Sequence, residues 1–326
     1  TPFDHQKTTA SFLTMHKRAF CFNEQGTGKT ASAIWASDYL MNVGVIHRVL
    51  VICPLSIMDS AWRNDLFTFA MHRRVGVAYG SKKKRTEVIE SDAEYVVINY
   101  DGVNIVEEVI QKGGFDLIII DEATHYKNAQ TKRWKTLKRL MNSEPWLWMM
   151  TGTPAAQSPV DAFGLARLVN PAAVPRFAGA FRDRVMAKVT NFRWVPKPDA
   201  TETVYQVLQP AIRYTKDECL DLPPMVYVKR EVALTRQQNK YYKLLRDKLV
   251  MDAGGEQVSA ANAAVAMNKL LQISCGAVYT DTGDTLEFDI SHRYNVLREV
   301  IDESSKKVLI FVPFKHVIDI LVDKLE

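Results

Sequence analysis

The sequence contains no long apolar run and few cysteines. No stretch approaches the roughly 18 consecutive apolar residues that a membrane-spanning helix requires, and no signal-peptide pattern is visible. The four cysteines, Cys21, Cys53, Cys219 and Cys275, are far apart and lack the spacing of metal ligands. These absences predict a protein with no membrane partner and no disulfide scaffold, whose reduced thiols lie in the core or at the surface.

Neither sign of charge dominates the chain. It has 42 Lys and Arg against 37 Asp and Glu, which gives a formal net charge of +5. This mild basic excess is compatible with a nucleic-acid partner but does not establish one. The hydrophobic fraction is 47%, so a chain of 326 residues can fill the cores of two domains.

Apolar strand candidates alternate with helical patterns in the first half of the chain. This spacing is typical of a mostly parallel sheet covered by helices on both faces, with ligands bound at the carboxyl ends of the strands. The predicted fold class is therefore α/β. The predicted strands are residues 18–22, 49–53, 75–79, 95–99, 115–121 and 146–151, and the predicted helices include residues 31–40, 57–70, 105–111 and 131–141.

Residues 22–30 read Phe-Asn-Glu-Gln-Gly-Thr-Gly-Lys-Thr, a glycine-containing loop between a predicted strand and a predicted helix. Strand, loop and helix in this order predict a P-loop that binds a nucleotide. Asn23 departs from the common pattern, because a glycine usually stands there. A turn whose lysine points at solvent is the alternative explanation.

The residue types of this loop suit phosphate binding. Gly26 and Gly28 would let backbone N–H groups face an anion, and the following helix N-terminus adds further donors. Lys29 would reach the β- and γ-phosphates, and the Thr30 hydroxyl would bind Mg²⁺.

Two adjacent acids follow the apolar run at residues 117–120. In metal-assisted phosphoryl transfer, Asp121 would hold Mg²⁺, directly or through water, and Glu122 would orient and deprotonate the attacking water. A third polar segment, residues 151–154, also closes an apolar strand. The hydroxyls of Thr151 and Thr153 could couple the state of the nucleotide to movement, although the segment alone could be an ordinary turn.

Residues 25–30, 121–125 and 151–154, in this order, resemble motifs I, II and III of superfamily 2 helicases and translocases. More narrowly they resemble the SWI/SNF-type, or sucrose-non-fermenting-like, DNA-dependent ATPases. The resemblance covers almost the whole chain. Further similar segments are residues 4–6, 53–56, 99–101, 222–224, 270–276 and 307–311, the last being similar to motif IV.

The resemblance implies a RecA-like P-loop NTPase lobe that uses ATP and Mg²⁺. Gln6 would read the adenine base, and His125 would join the two threonines in coupling. Ser56 and Tyr100 would contact DNA. The nucleotide-binding set it implies is Gln6, Gly26, Thr27, Gly28, Lys29 and Thr30.

The same resemblance implies a division into residues 1–154, 155–222 and 223–326. These would be the ATP-binding core of lobe 1, a helical insertion with hinge, and an incomplete second lobe with a helical element. The family's motifs V and VI, with their arginines, have no counterpart here. We therefore expect one strand and two helices in the second lobe, a C-terminal half supplied from elsewhere, and weak or no activity of this chain alone.

The function implied is that of an ATP-dependent translocase or remodelling motor on double-stranded or branched DNA. A strand-separating DNA or RNA helicase of the same superfamily is one alternative. A scaffold that binds nucleotide and DNA without hydrolysis is another. We expect a location in the cytoplasm of a bacterial or virus-infected cell, or in the nucleus if the source is eukaryotic.

Overall fold

The computed structural model describes residues 1–155, 157–190, 193–221, 223, 226–248, 250–253, 256–259 and 262–325. The chain divides into two compact units, Thr1–Pro223 and Pro224–Glu326. The finer division into three parts stays a prediction, and Leu222 at its second boundary lies outside the described residues.

The first unit is built on a parallel sheet. Its strands are β1 (Arg18–Cys21), β2 (Val49–Cys53), β3 (Val75–Ala78), β4 (Tyr95–Asn99), β5 (Leu117–Asp121), β6 (Trp146–Met150), β7 (Met186–Lys188), β8 (Trp194–Pro196) and β9 (Ala211–Ile212). Among the described residues, seven of them pair in parallel in the order β3-β4-β2-β5-β6-β1-β9. The remaining two, β7 and β8, form an antiparallel pair.

Helices alternate with these strands. They are α1 (Asp4–Met15), α2 (Lys29–Asn42), α3 (Asn64–Phe69), α4 (Lys82–Glu90), α5 (Tyr100–Ile105), α6 (Glu107–Lys112), α7 (Lys132–Leu140), α8 (Ala162–Val169), α9 (Ala178–Val185), α10 (Ala200–Val207) and α11 (Lys216–Cys219). Alternation of this kind gives the sheet two covered faces.

Strand β2 shows why the sequence specifies this sheet. All five of its residues are apolar and buried. Leu50 and Ile52 belong to the core on one face, whereas Val49 and Val51 belong to the core on the other. A strand with two buried faces reads as an unbroken apolar run, so the α/β prediction is confirmed.

Two predicted helices differ in the structure. In place of a single helix over residues 57–70, a 3-10 turn at Leu55–Ile57 and a π-helix at Met58–Arg63 lead into α3. The helix predicted around residues 105–111 is interrupted at Val106, whose backbone (φ −121°, ψ 26°) is not helical, and this separates α5 from α6. Val106 itself is buried at 1% exposure, so core packing outweighs continuation of the helix.

The second unit contains more structure than one strand and two helices, so that expectation was wrong. Its helices are α12 (Arg236–Lys248), α13 (Ala263–Cys275), α14 (Ser291–Glu303) and α15 (Lys315–Leu325), and its strands are β10 (Val250–Ala253), β11 (Glu256–Ser259), β12 (Ala277–Tyr279) and β13 (Thr285–Glu287). The strands pair as two antiparallel hairpins. Residues 307–311, the segment similar to motif IV, form no strand. A C-terminal half supplied from elsewhere stays a prediction.

All four cysteines are free thiols, and Cys21, Cys53 and Cys275 are buried. No helix in the described ranges combines the length and the apolar character needed to cross a bilayer. Those ranges also hold no group of three or more His, Cys, Asp or Glu side chains arranged around a metal position.

Candidate nucleotide and coupling site

The P-loop forms between β1 and α2, as predicted. Gly26 and Gly28 have φ angles of +86° and +83°, a left-handed region that favours glycine. Gly28 caps α2, so Lys29 and Thr30 occupy the first turn of that helix. Free backbone N–H groups of a helix N-terminus lie at this end of the helix, which gives the loop the means to bind an anion.

Helix α1 packs Gln6 against this loop. The Gln6 amide Nε2 lies 3.3 Å from the Thr27 carbonyl oxygen, and His5 Nε2 lies 2.9 Å from the same oxygen. A Cβ atom at Gly28 would lie 2.1 Å from Gln6 Nε2, so a side chain there would displace the Gln6 amide, and the φ of +83° disfavours any residue other than glycine. The structure therefore brings Gln6 to the P-loop, and its reading of adenine stays a prediction.

Lys29 lies inside the loop. Its ammonium donates to the carbonyl oxygens of Asn23 at 2.9 Å and Glu24 at 3.1 Å. Burial lowers its pKa, while the charges of Asp121 and Glu122 oppose that shift. The cation is thus held among main-chain dipoles near the two acids. Thr27 is also turned inward, because its hydroxyl donates to the Glu24 carbonyl at 2.7 Å.

Asn23, the residue that departs from the common P-loop pattern, is buried and hydrogen-bonded to two other segments of the chain. Its side chain is 1% exposed. The amide Nδ2 donates to Thr9 Oγ1 at 2.8 Å, and Oδ1 accepts from the Tyr214 N–H at 3.0 Å. Asn23 therefore connects α1 to the segment that follows β9, a role that a glycine could not perform.

Asp121 ends β5, and each of its carboxyl oxygens accepts one hydrogen bond. Oδ2 accepts from Trp62 Nε1 at 2.9 Å, and Oδ1 accepts from the Glu122 N–H at 3.0 Å. Burial raises its pKa. Trp62 lies in the π-helix, which directs the indole N–H at the acid. Oxygen ligands suit Mg²⁺, so Asp121 and the Thr30 hydroxyl are of the right chemistry to hold this ion with a nucleotide.

Glu122 contacts the third polar segment. Its Oε1 accepts from Thr151 Oγ1 at 2.8 Å and from Thr124 Oγ1 at 3.0 Å. The Thr153 N–H in turn donates to Thr151 Oγ1 at 3.2 Å. The register of β5 and β6 explains this contact. Asp121 pairs with Met150, so the residues that follow them, Glu122 and Thr151, lie side by side.

The backbone at Glu122 is unusual for a residue with a side chain. Its φ angle is +53° and ψ is +61°, which is left-handed. Non-glycine residues adopt this region rarely, at a cost of order 1–3 kcal/mol, and they cluster at functional sites. The conformation turns the Glu122 side chain toward Thr151.

Tyr100 is buried behind the two acids. It is 5% exposed, and its hydroxyl donates to the Asp121 carbonyl oxygen. The His125 ring lies 4.5 Å from its centroid, and the Arg133 guanidinium lies 4.8 Å from it. The hydroxyl faces the protein interior, so this position lends the predicted DNA contact of Tyr100 no support, and that contact stays a prediction. The hydrogen bond from the Tyr100 hydroxyl to the Asp121 carbonyl oxygen supports the turn that carries Asp121 and Glu122.

Ser56, the other predicted DNA contact, is exposed. It lies in the 3-10 turn at Leu55–Ile57, beyond the carboxyl end of β2. Ser56 therefore lies at the edge of the sheet where ligands bind, which is compatible with the prediction. Its contact with DNA stays a prediction.

Sequence reasoning gave no role to Thr9, Tyr214 or Lys216, which lie beside the P-loop. The one available signal was Asn23 in place of glycine.

Comparison with known proteins decides the family. The model of the SNF2-related domain matches residues 5–276, which is more than half of the chain. The chain belongs to this family. The SWI/SNF-type resemblance of its motifs is thereby confirmed.

Two relatives and one solved structure illustrate the family. Protein p41 of Acyrthosiphon pisum secondary endosymbiont phage 1 is 25% identical over 340 residues, covering 97% of this chain and 73% of that protein. The ISWI chromatin-remodeling complex ATPase ISW1 of Saccharomyces cerevisiae is 25% identical over 323 residues, covering 92% of this chain and 28% of that protein. The Sulfolobus solfataricus SWI2/SNF2 ATPase core in complex with dsDNA has a TM-score of 0.60 at 22% identity, covering 99% of this chain and 69% of that one.

These matches differ in what they cover. The SNF2-related chain has the fold of an SWI2/SNF2 ATPase core, with a RecA-like first lobe. It spans most of the phage protein p41, but only 28% of ISW1. Much of ISW1 is thus outside the aligned region.

Proposed function

We propose that this chain is the ATPase unit of a motor that moves along double-stranded or branched DNA. The observation that carries the proposal is the hydrogen bond from Thr151 to Glu122, at 2.8 Å, beside a glycine loop with Lys29. It joins a residue suited to water activation to a segment suited to coupling. Membership of the SNF2-related family supports the same activity.

Lys29 and the loop N–H groups would bind the phosphates of ATP. Thr30 and Asp121 would hold Mg²⁺, which when bound neutralises charge on the transferring phosphoryl group. Lys29 would exchange its two main-chain carbonyl partners for phosphate oxygens, which are stronger acceptors because they carry charge. Gln6 would contact the base from α1.

Glu122 would orient the attacking water and accept its proton. Thr151 donates to the same carboxylate, so the position of this base depends on residues 151–153. Hydrolysis would free that carboxylate to change partners, and Thr151, Thr153 and His125 would pass the change onward. A two-state rearrangement of this kind is how a nucleotide site drives movement.

Duplex DNA is the proposed track. Support comes from relatives named as chromatin-remodeling ATPases and from a solved SWI2/SNF2 core named as a complex with dsDNA. A motor that moves irrespective of sequence needs contacts to the phosphate backbone. Ser56 is our candidate for one such contact.

The test is ATP turnover by the chain, alone and joined to the C-terminal half predicted for its second lobe, measured without DNA, with duplex DNA and with single-stranded DNA. We expect duplex DNA to stimulate turnover more than single strands do, and Lys29→Ala to abolish it. Stronger stimulation by single strands would favour the strand-separating helicase. ATP binding without turnover under all three conditions, in the joined version as well as in the chain alone, would favour the scaffold and contradict the proposal.

A further inference from the structure

Residues 210–216, which we name the strap, run beside the nucleotide loop. Strand β9 within the strap pairs with β1, and the ladder continues past the end of both strands. The Phe22 N–H donates to the Ile212 carbonyl at 2.8 Å, and the Glu24 N–H donates to the Tyr214 carbonyl at 2.9 Å. The backbone of the strap is thus hydrogen-bonded to the first residues of the P-loop.

Side chains of the P-loop fix the strap in place. Asn23 Oδ1 accepts from the Tyr214 N–H, and Glu24 Oε2 accepts from the Lys216 N–H at 3.1 Å. Arg213 Nη2 lies 4.0 Å from Glu24 Oε1. Because the Glu24 carboxylate accepts a hydrogen bond from the Lys216 N–H, it fixes the position of the Lys216 backbone, from which the side chain extends.

The Lys216 side chain lies over Gly26. A Cβ atom built on Gly26 would be 3.7 Å from Lys216 Cε. Within the described residues the Lys216 ammonium has neither a hydrogen bond nor an ion pair, and Lys216 is exposed. It is also the first residue of the four-residue helix α11, a position at which a positive charge gains nothing from the helix. Helix stability therefore does not explain a lysine here.

Two ammonium groups consequently approach one glycine loop. The main cause of the lowered pKa of Lys29 is burial, and the charge of Lys216 lowers it further, against the opposing charges of Asp121 and Glu122. Repulsion between two cations is relieved when a polyanion lies between or beside them. The loop with Lys29 and Lys216 is better suited to several phosphate groups than to one.

We propose that Lys216 is a second cationic contact for the phosphates of the bound nucleotide, reaching over Gly26 from the strap. The proposal rests on the proposed binding of ATP at the P-loop. It assigns the strap a part in holding the triphosphate, beside its structural pairing with β1.

The experiment compares Lys216→Gln and Lys216→Arg with Lys135→Gln, an exposed lysine of α7 in the same unit. Equilibrium dissociation constants are measured for ATP, ADP and adenosine, and the thermal unfolding midpoint is recorded for each variant. We expect Lys216→Gln to weaken ATP binding about tenfold, as for one charge-assisted hydrogen bond. Lys216→Arg should restore most of the affinity. Adenosine binding and the unfolding midpoint should not change.

The outcomes separate this inference from the function on which it rests. If the unaltered chain binds ATP and Lys216→Gln binds it equally well, the inference is overturned and the nucleotide site stands. An equal loss for adenosine would also overturn it, because Lys216 would then act on the shape of the loop. If the unaltered chain binds no ATP, both proposals fail.

Discussion

Residues 117–120 and 308–311 are apolar runs of the same kind, Leu-Ile-Ile-Ile and Val-Leu-Ile-Phe. The first is the body of β5, with a neighbour on each side and no residue more than 2% exposed. The second forms no strand, and Leu309 and Phe311 are 78% and 86% exposed. Each run belongs to a different unit of the chain.

The difference shows that strand formation depends on neighbours as well as on composition. A strand satisfies its backbone groups through adjacent strands, and β-propensity mostly reflects packing on a pleated surface. Strand β5 lies between β2 and β6, and this pairing delivers Asp121 and Glu122 next to Thr151. The positions of Asp121 and Glu122 at the end of β5 therefore depend on the pairing of β5 with β2 and β6.

The largest expected effect tests whether catalysis resides in the first unit. Glu122→Gln should lower ATP turnover by a factor on the order of 10²–10⁴, since it removes a general base while keeping the shape of the side chain. ATP binding should persist. Glu299→Gln, at an exposed position on α14 of the second unit, is the matched control. Equal turnover in both variants, measured by phosphate release, would contradict the assigned base.

A second comparison places the same substitution in the two apolar runs. Leu117→Ala should lower the free energy of unfolding by about 2–5 kcal/mol, because Leu117 is fully buried and the change leaves a cavity. Leu309→Ala should change it by less than about 0.5 kcal/mol. Denaturant titrations of both variants measure the difference. Equal losses would mean that residues 308–311 are buried as deeply as β5.

Asn23 is the next test, because it joins α1, the P-loop and the strap. Asn23→Ala would leave the Thr9 hydroxyl and the Tyr214 N–H without this partner, at an expected cost of about 1–3 kcal/mol of unfolding free energy. Asn295→Ala, on the exposed face of α14, should change stability little. An Asn23→Ala variant as stable as its control would show that the two hydrogen bonds of Asn23 do not stabilise the fold.

The smallest effect concerns pH. Burial, and next the charge of Arg133, lower the pKa of His125 from its ordinary value of 6.5, against the charges of Glu122 and Asp101. The folded state thus prefers the neutral ring, which also lies beside Tyr100. Stability should therefore fall slightly as pH drops through 6.5 toward the lowered pKa. His125→Gln should remove this part of the pH dependence in unfolding titrations, and an unchanged profile would contradict it.

The sequence was sufficient for six of the seven strands of the sheet and for the places of the proposed site residues. Buried strands read as apolar runs, and the P-loop and the acid pair stand directly at strand ends, so Lys29, Asp121 and Glu122 could be placed there without a structure. Their roles stay predictions. The π-helix that directs Trp62 at Asp121 has no comparable pattern.

The strap could not be found in the same way. Asn23 contacts Tyr214, and Glu24 contacts Lys216, across more than 190 residues of chain. Such pairings depend on β9 joining the sheet beside β1, and β9 is only two residues long. A strand this short gives no periodicity from which to predict its partner.

The central claim is that the first unit holds a nucleotide at its P-loop. The most direct measurement is equilibrium binding of ATP with Mg²⁺ by the chain, beside Lys29→Ala and the exposed-lysine control Lys135→Gln. We predict saturable binding by the unaltered chain and by Lys135→Gln, and its loss in Lys29→Ala. Undiminished binding by Lys29→Ala, or no binding by the unaltered chain, would contradict it.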